Sequence, residues 1–148
     1  MQSILFIVNP ISGSGRKDAA LKAVEHYLDR DRFAAEIRNT EYAGHGAEIA
    51  REAAARGVDI VVAVGGDGTV NEIAGSLVDT ETALAIIPCG SGNGLARHLQ
   101  IPMDPVAAVK VINTAAIVRL DHGTINGRPF FCTCGVGFDA FISEKFAE

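Results

Sequence analysis

Three apolar runs, each broken off by glycine-rich sequence, constrain the fold of this chain more than any other feature. Ile4-Leu5-Phe6-Ile7-Val8, Ile60-Val61-Val62-Ala63-Val64 and Ala83-Leu84-Ala85-Ile86-Ile87 contain no polar residue. A strand without polar alternation is buried on both faces, as in a parallel sheet covered by helices. Helical spacing fills the intervals. Lys17–Leu28 carries Ala20, Leu21, Val24, Tyr27 and Leu28 at helical spacing. Gly46–Arg56 is alanine-rich, has a Glu52–Arg56 pair one turn apart and stops at Gly57. Thr69–Leu77, Asn93–Leu99 and Asp104–Ile112 follow, the last with Asp104 as N-cap and Pro105 at the first helical position. Phe33–Arg38 is a further short strand. Ala116–Leu120 and Phe130–Cys134 read as two more, joined through the turn Asn126-Gly127, with Pro129 entering the second where its missing N–H is tolerated. The alternation predicts one domain over residues 1–148, an α/β fold built as a three-layer, Rossmann-like open, mostly parallel sheet with helices on both faces. Such sheets bind ligands beyond the carboxyl ends of their strands, where all three glycine-rich segments fall.

Composition narrows the partners. The chain has 148 residues, 48% apolar and 21% charged, a globular balance with no apolar run near the ~20 residues of a membrane span. The start, Met1-Gln2-Ser3, lacks the basic region of a secretory signal. A formal net charge of −5 argues against nucleic acid as the main partner. Three cysteines, Cys89, Cys132 and Cys134, make no disulfide framework and fit a reducing cytoplasm. Cys132 and Cys134 fall on one face of the expected strand, as two small buried residues.

The segment Gly65-Gly66-Asp67-Gly68-Thr69 carries the chemistry. Glycines let a ligand approach the backbone, and loop N–H groups running into a helix start suit a phosphate. A carboxylate there repels phosphate unless a cation intervenes. Mg²⁺ binds carboxylates and phosphates together and keeps several waters, so the segment points to Mg²⁺-nucleotide chemistry. The first segment, Asn9 to Arg16, lacks the Lys-Ser/Thr of a Walker loop and the three-glycine dinucleotide spacing.

Gly65 to Glu72 (G-G-D-G-T-V-N-E) resembles the signature loop of the diacylglycerol kinase catalytic domain family, the branch of bacterial diacylglycerol and sphingosine-type lipid kinases within a superfamily that includes NAD kinases. Four further strings resemble that family in order. Asn9-Pro10-Ile11-Ser12-Gly13 matches its opening N-P-x-S-G, which implies that Asn9, Pro10, Ser12 and Gly13 help form the nucleotide pocket. Thr40 to Gly46 matches T-x-x-x-G-H-A with Gly46 in place of Ala, which implies an ATP contact from Thr40 and a buttressing role for His45. Pro88 to Arg97 matches P-x-G-T-x-N-D-x-A-R, with Ser91 keeping the hydroxyl and Gly94 removing a carboxylate. Gly135 to Ala140 matches G-x-G-x-D-A, which implies that Asp139 lies on the acceptor-substrate side; the residue also suits a helix N-cap.

The resemblance implies transfer of the ATP γ-phosphoryl group to a lipid hydroxyl, of diacylglycerol or a sphingoid base, presented at the membrane surface to a cytoplasmic, peripherally associating kinase. Gly65, Gly66, Asp67, Gly68, Thr69, Asn71, Ser91 and Asn93 complete the implied nucleotide-binding set. Asp67 is the implied catalytic residue, as a Mg²⁺ ligand or beside the acceptor hydroxyl, and Asp121 is the second implied metal residue. Two readings stay beside this one, an NAD kinase-like enzyme and a non-catalytic nucleotide-binding regulator. Family members carry a second, β-sandwich domain, so residues 1–148 are expected to bind ATP weakly and to phosphorylate no lipid alone. A terminal helix from Asp139 would expose Phe141, Ile142 and Phe146 and favour a homo-oligomer.

Overall fold

The computed structural model describes residues 1–11, 15–114 and 116–135, with Gly137, Ala140 and Lys145. The apolar runs are the strands β1 (Gln2–Val8), β3 (Ile60–Gly65) and β4 (Ala83–Pro88), joined by β2 (Phe33–Asn39) into one sheet of order β2-β1-β3-β4. Every pairing in it is parallel, with Ile4 opposite Ile60 and Val61 opposite Leu84. Between the strands run α1 (Arg16–Tyr27), α2 (His45–Ala55) and α3 (Asp67–Leu77). After β4 come α4 (Gly94–His98) and α5 (Pro105–Thr114).

Alternation along β1 divides the core in two. Ile4, Phe6 and Val8 pack with Ala20, Ala23 and Val24 of α1 and with Ala108, Val109 and Ile112 of α5. Leu5 and Ile7 face the other way, onto Ile49, Ala50 and Ala53 of α2 and Val70, Ile73 and Leu77 of α3. Successive side chains of a strand point to opposite faces, so a run without polar residues is what a three-layer fold requires. The expected fold class is the observed one.

The strand order sets the site. β1 is followed by a strand on one side of it and β3 lies on the other, so the winding reverses between β1 and β3. The helices after these two strands, α1 and α3, lie on opposite faces, and a crevice opens between them at the carboxyl edge.

Element boundaries follow their local chemistry. Gly57, at φ 72°, ends α2, with its N–H on Ala54 O and the Val58 N–H on Ala53 O. Asp104 caps α5 through its carboxylate, which accepts the Ala107 N–H at 2.8 Å. Helix α3 starts at Asp67, two residues before the expected Thr69, because Gly66 takes the N-cap.

The region after α5 departs from expectation. Ala116–Leu120 is irregular rather than a strand, and Ile117, Val118 and Leu120 are 66%, 68% and 56% exposed. The hairpin forms further on, as β5 (Gly123–Ile125) and β6 (Arg128–Phe130), around Asn126 (φ 50°) and Gly127 (φ 73°). The two left-handed residues make the tight turn and bring its immediate neighbours into register, and β6 ends at Phe130. Cys132 and Cys134 are consequently exposed and irregular, not buried on a strand. The expected terminal helix, with Phe141, Ile142 and Phe146, lies outside the described residues. Among the described residues no helix is long and apolar enough to cross a membrane.

Candidate active site

Three segments meet at the carboxyl edge: residues 9–11 and Gly15 after β1, Gly66 at the start of α3, and residues 89–93 after β4. The second and third touch backbone to backbone. A Cβ on Gly90 would stand 2.6 Å from Gly66 Cα, and one on Gly66 would stand 3.2 Å from Gly90 Cα. Neither position has room for a side chain unless the main chain shifts. Gly65 is closed differently, since its Cβ would meet the Thr69 side chain at 2.6 Å.

Asp67 binds the third segment to the second. Its Oδ2 accepts the Asn93 N–H at 2.8 Å and its Oδ1 accepts the Gly94 N–H at 2.6 Å. The carboxylate lies so close to this turn that a Cβ on Gly92 would be 2.6 Å from Oδ2. Asn93, at φ 55° and buried, closes the turn from within. Its Oδ1 accepts the Gly90 N–H at 2.9 Å and its Nδ2 donates to Gly90 O at 2.6 Å. Two arginines hold the carbonyls of the same turn. Arg16 Nη1 donates to Gly90 O at 3.1 Å and Arg97 Nε to Gly92 O at 2.8 Å. Beneath them the thiol of Cys89 is pushed above its ordinary pKa by burial, which keeps it protonated.

The crevice between β1 and β3 is floored by a side-chain bond, Asn9 Nδ2 to Thr69 Oγ1 at 3.1 Å. Asn9 Oδ1 also accepts the Ile11 N–H at 3.0 Å, and the Asn9 N–H donates to Val64 O at 3.1 Å. Thr40 joins this edge through its N–H on Val8 O at 2.9 Å. Facing the crevice, α3 begins without a side-chain cap. The Val70 N–H makes the first helical return, to Gly66 O, so the amides of Asp67, Gly68 and Thr69 precede it. Gly68 is the informative glycine. Its φ is not positive, and a Cβ there would meet nothing within 4 Å. Neither conformation nor packing calls for glycine at this exposed helix start, and its effect is to leave the first amides of α3 without a side chain over them.

The string Thr40 to Gly46 is a brace. His45 Nδ1 accepts the Glu41 N–H at 3.1 Å, and its ring stacks on Tyr42 at 4.5 Å. Glu72 caps α2 by accepting the Ala47 N–H at 3.1 Å, and a Cβ on Gly46 would lie 2.9 Å from its Oε1.

Asp67 also lines a cavity of about 270 Å³. Asp67, Asn71 and Thr133 supply its polar lining, and Val70, Leu95 and Phe131 its apolar lining. Gly92, Gly94 and Cys132 complete it.

Of the expected site residues, the fold gathers Asn9, Gly65, Gly66, Asp67, Thr69 and Asn93 through direct contacts, and Gly68 stands exposed beside Asp67 at the start of α3. Asn71 joins through the cavity, Thr40 borders the edge, and Pro10 and Ser91 are exposed in its loops. Ser12, Gly13 and Asp139 lie outside the described residues. Asp121 is exposed ahead of β5 and has no hydrogen bond or ion pair among the described residues. Among those residues no three His, Cys, Asp or Glu side chains cluster. Each Asp67 oxygen accepts one amide and keeps a lone pair. That donor set is too small for a protein-lined metal cage, and it fits Mg²⁺ held by one carboxylate, phosphate and water. Sequence reasoning missed Arg16, Leu95, Phe131, Cys132 and Thr133 as site residues. Only the fold brings them to the edge.

The chain matches the diacylglycerol kinase catalytic domain over residues 3–125. It is 39% identical to a YegS-like lipid kinase of Chromohalobacter salexigens, over 87% of this chain and 44% of that protein. It is 36% identical to a diacylglycerol kinase of Bacillus subtilis, over 93% of this chain and 46% of that protein. The crystal structure of a diacylglycerol kinase from Bacillus anthracis superposes with a TM-score of 0.76 at 30% identity, covering 87% of this chain and 48% of the other. The chain thus spans about half the length of the relatives it matches. Its parallel sheet, its glycine turns around Asp67 and these matches together place it in one family: the chain belongs to the diacylglycerol kinase catalytic domain family.

Proposed function

We propose that this chain is the nucleotide-binding half of a lipid kinase that transfers the γ-phosphoryl group of ATP to the hydroxyl of diacylglycerol or a related lipid at the membrane surface. One observation carries the reading: Asp67 belongs both to the uncapped, amide-lined start of α3 and to the wall of an amphiphilic cavity. The phosphates of ATP lie over the crevice floored by Asn9 and Thr69, against the uncapped amides of α3, with Gly68 leaving them room. The acceptor hydroxyl enters from the cavity, its apolar stem against Val70, Leu95 and Phe131. Asp67 would hold Mg²⁺, which when bound neutralises charge on the phosphates. The protein's own work is positioning: Asp67, Arg16, Arg97 and Asn93 hold the third turn rigid, so donor and acceptor meet in one geometry.

Calorimetry of residues 1–148 with Mg-ATP is expected to give a dissociation constant in the micromolar to millimolar range, roughly −4 to −8 kcal/mol. A radiolabelled transfer assay, run on the protein as the cell makes it, compares dioctanoylglycerol, ceramide, a sphingoid base and NAD. Label in a lipid supports the reading. Label mainly in NAD overturns it for an NAD kinase-like enzyme, and ATP binding without transfer overturns it for a regulator.

A further inference from the structure

Gly94 is the first residue of α4, and its φ is not positive. Its conformation is one that any residue adopts, so backbone freedom does not explain the glycine. A neighbour does. A Cβ on residue 94 would stand 2.9 Å from Cys132 Sγ, closer than the two atoms can approach, and 3.6 Å from Asp67 Oδ1, an ordinary contact. Both residues line the 270 Å³ cavity. Cys132 reaches it from the irregular segment after β6, so the pairing joins two stretches of chain that no sequence pattern links.

We propose that Gly94 and Cys132 act together as the determinant of how bulky an acceptor group the cavity admits beside Asp67; the inference rests on the lipid-kinase reading of that cavity. The volume falls just below the roughly 300–1,000 Å³ of small-molecule sites, so the cavity takes the hydroxyl-bearing end of a lipid and leaves its chains outside. In so small a space one side chain decides the fit. A side chain at position 94 swings the thiol about its single side-chain torsion or occupies the space itself. Either change alters the wall against which the acceptor rests. The Cys132 sulfur is also a soft neighbour, and among the described residues Asp67 is the one carboxylate lining this cavity.

The test uses Gly94→Ala, Cys132→Ala and the double variant, in the protein as the cell makes it. Two acceptors of different bulk at the reacting end are compared, dodecanol as the slim one and dioctanoylglycerol as the bulky one. The ratio of their KM values is expected to rise at least fivefold against dioctanoylglycerol in Gly94→Ala. It should fall in Cys132→Ala and return to within about twofold of the parent in the double variant. An unchanged ratio in Gly94→Ala, or an equal rise in the double variant, overturns the proposal. A second measurement needs no lipid. The iodoacetamide rate at Cys132, mapped by mass spectrometry against Cys134, should change at least threefold in Gly94→Ala, while buried Cys89 stays unreacted and reports intact folding. A changed rate when the parent protein accepts neither alcohol rejects the lipid reading and upholds the steric pair. An unchanged rate rejects the pair itself.

Discussion

Two aspartates flank the same strand, and they show what separates a structural carboxylate from a site. Asp59 precedes β3, and its Oδ2 accepts both the N–H and the hydroxyl of Ser3 at 2.7 Å. Asp67 follows β3 and accepts two main-chain N–H groups, one on each oxygen. Both tie β3 to a neighbouring segment by two hydrogen bonds, so bonding alone does not distinguish them. The surroundings do. At the amino edge the Asp59 N–H returns a bond to Ser3 Oγ at 2.9 Å, and the contact closes on itself. At the carboxyl edge Gly92 and Gly94 leave the space against the carboxylate without side chains, and a cavity opens beside it. Function follows from what is left empty around a well-held charge.

The largest expected effect breaks that comparison directly. Asp67→Ala should lower kcat roughly a hundredfold or more, the scale of losing one charge-stabilising group, while Asp59→Ala should leave turnover per folded molecule intact. Steady-state kinetics on both variants, with folded fraction measured by circular dichroism, decides it. Equal kinetic losses would show that the two carboxylates share a purely structural duty.

Gly90 and Gly68 sharpen the same contrast inside the carboxyl edge. Gly90→Ala forces a Cβ against Gly66 Cα and should cost about 1–3 kcal/mol in urea unfolding, the range of overpacked sites. Gly68→Ala meets no atom and sits in a helix, so stability should hold or rise by up to about 1 kcal/mol. Its Mg-ATP affinity should nevertheless fall about tenfold, near 1.4 kcal/mol. Unchanged affinity in calorimetry would remove the start of α3 from the nucleotide site.

The smallest effect belongs to the amino edge. The Ser3 hydroxyl, followed by its N–H, holds the Asp59 carboxyl below its ordinary pKa. A lowered folded value contributes stability that is complete above the unfolded value, about 3.9, and is lost as pH falls through the folded value. Ser3→Ala should therefore cost at most about 1 kcal/mol near neutrality, since solvent screens this exposed pair. The gap in urea midpoint between parent and variant should narrow below about pH 4. A gap undiminished at pH 2 would show that the hydroxyl acts without the charge.

Local sequence made much of this molecule legible. The apolar runs at 4–8, 60–64 and 83–87 became parallel strands because residues without polar partners must be covered on both faces. Asp104, Gly57 and the Asn126-Gly127 turn act where they stand, through pairings three to five positions apart. Where the reading failed, a partner was missing. Ala116–Leu120 has strand chemistry, yet a strand exists only if another supplies the ladder, and among the described residues none does.

The sequence by itself determined that Asp67 would sit in a glycine-framed turn beyond a buried strand. The spacing of apolar, glycine and acidic residues is a one-dimensional property, and local sterics act on it directly. Only the tertiary structure decided that Asp67 spends its oxygens on Asn93 and Gly94, that Arg16 reaches Gly90, and that Cys132 stands where a side chain on residue 94 would be. Those contacts join residues 26 to 74 positions apart, brought together when the sheet winds one way from β1 and the other way into β3. Backbone sterics and side-chain period reach a few residues along the chain, whereas the meeting of three loops is set by how two cores pack on opposite faces of one sheet.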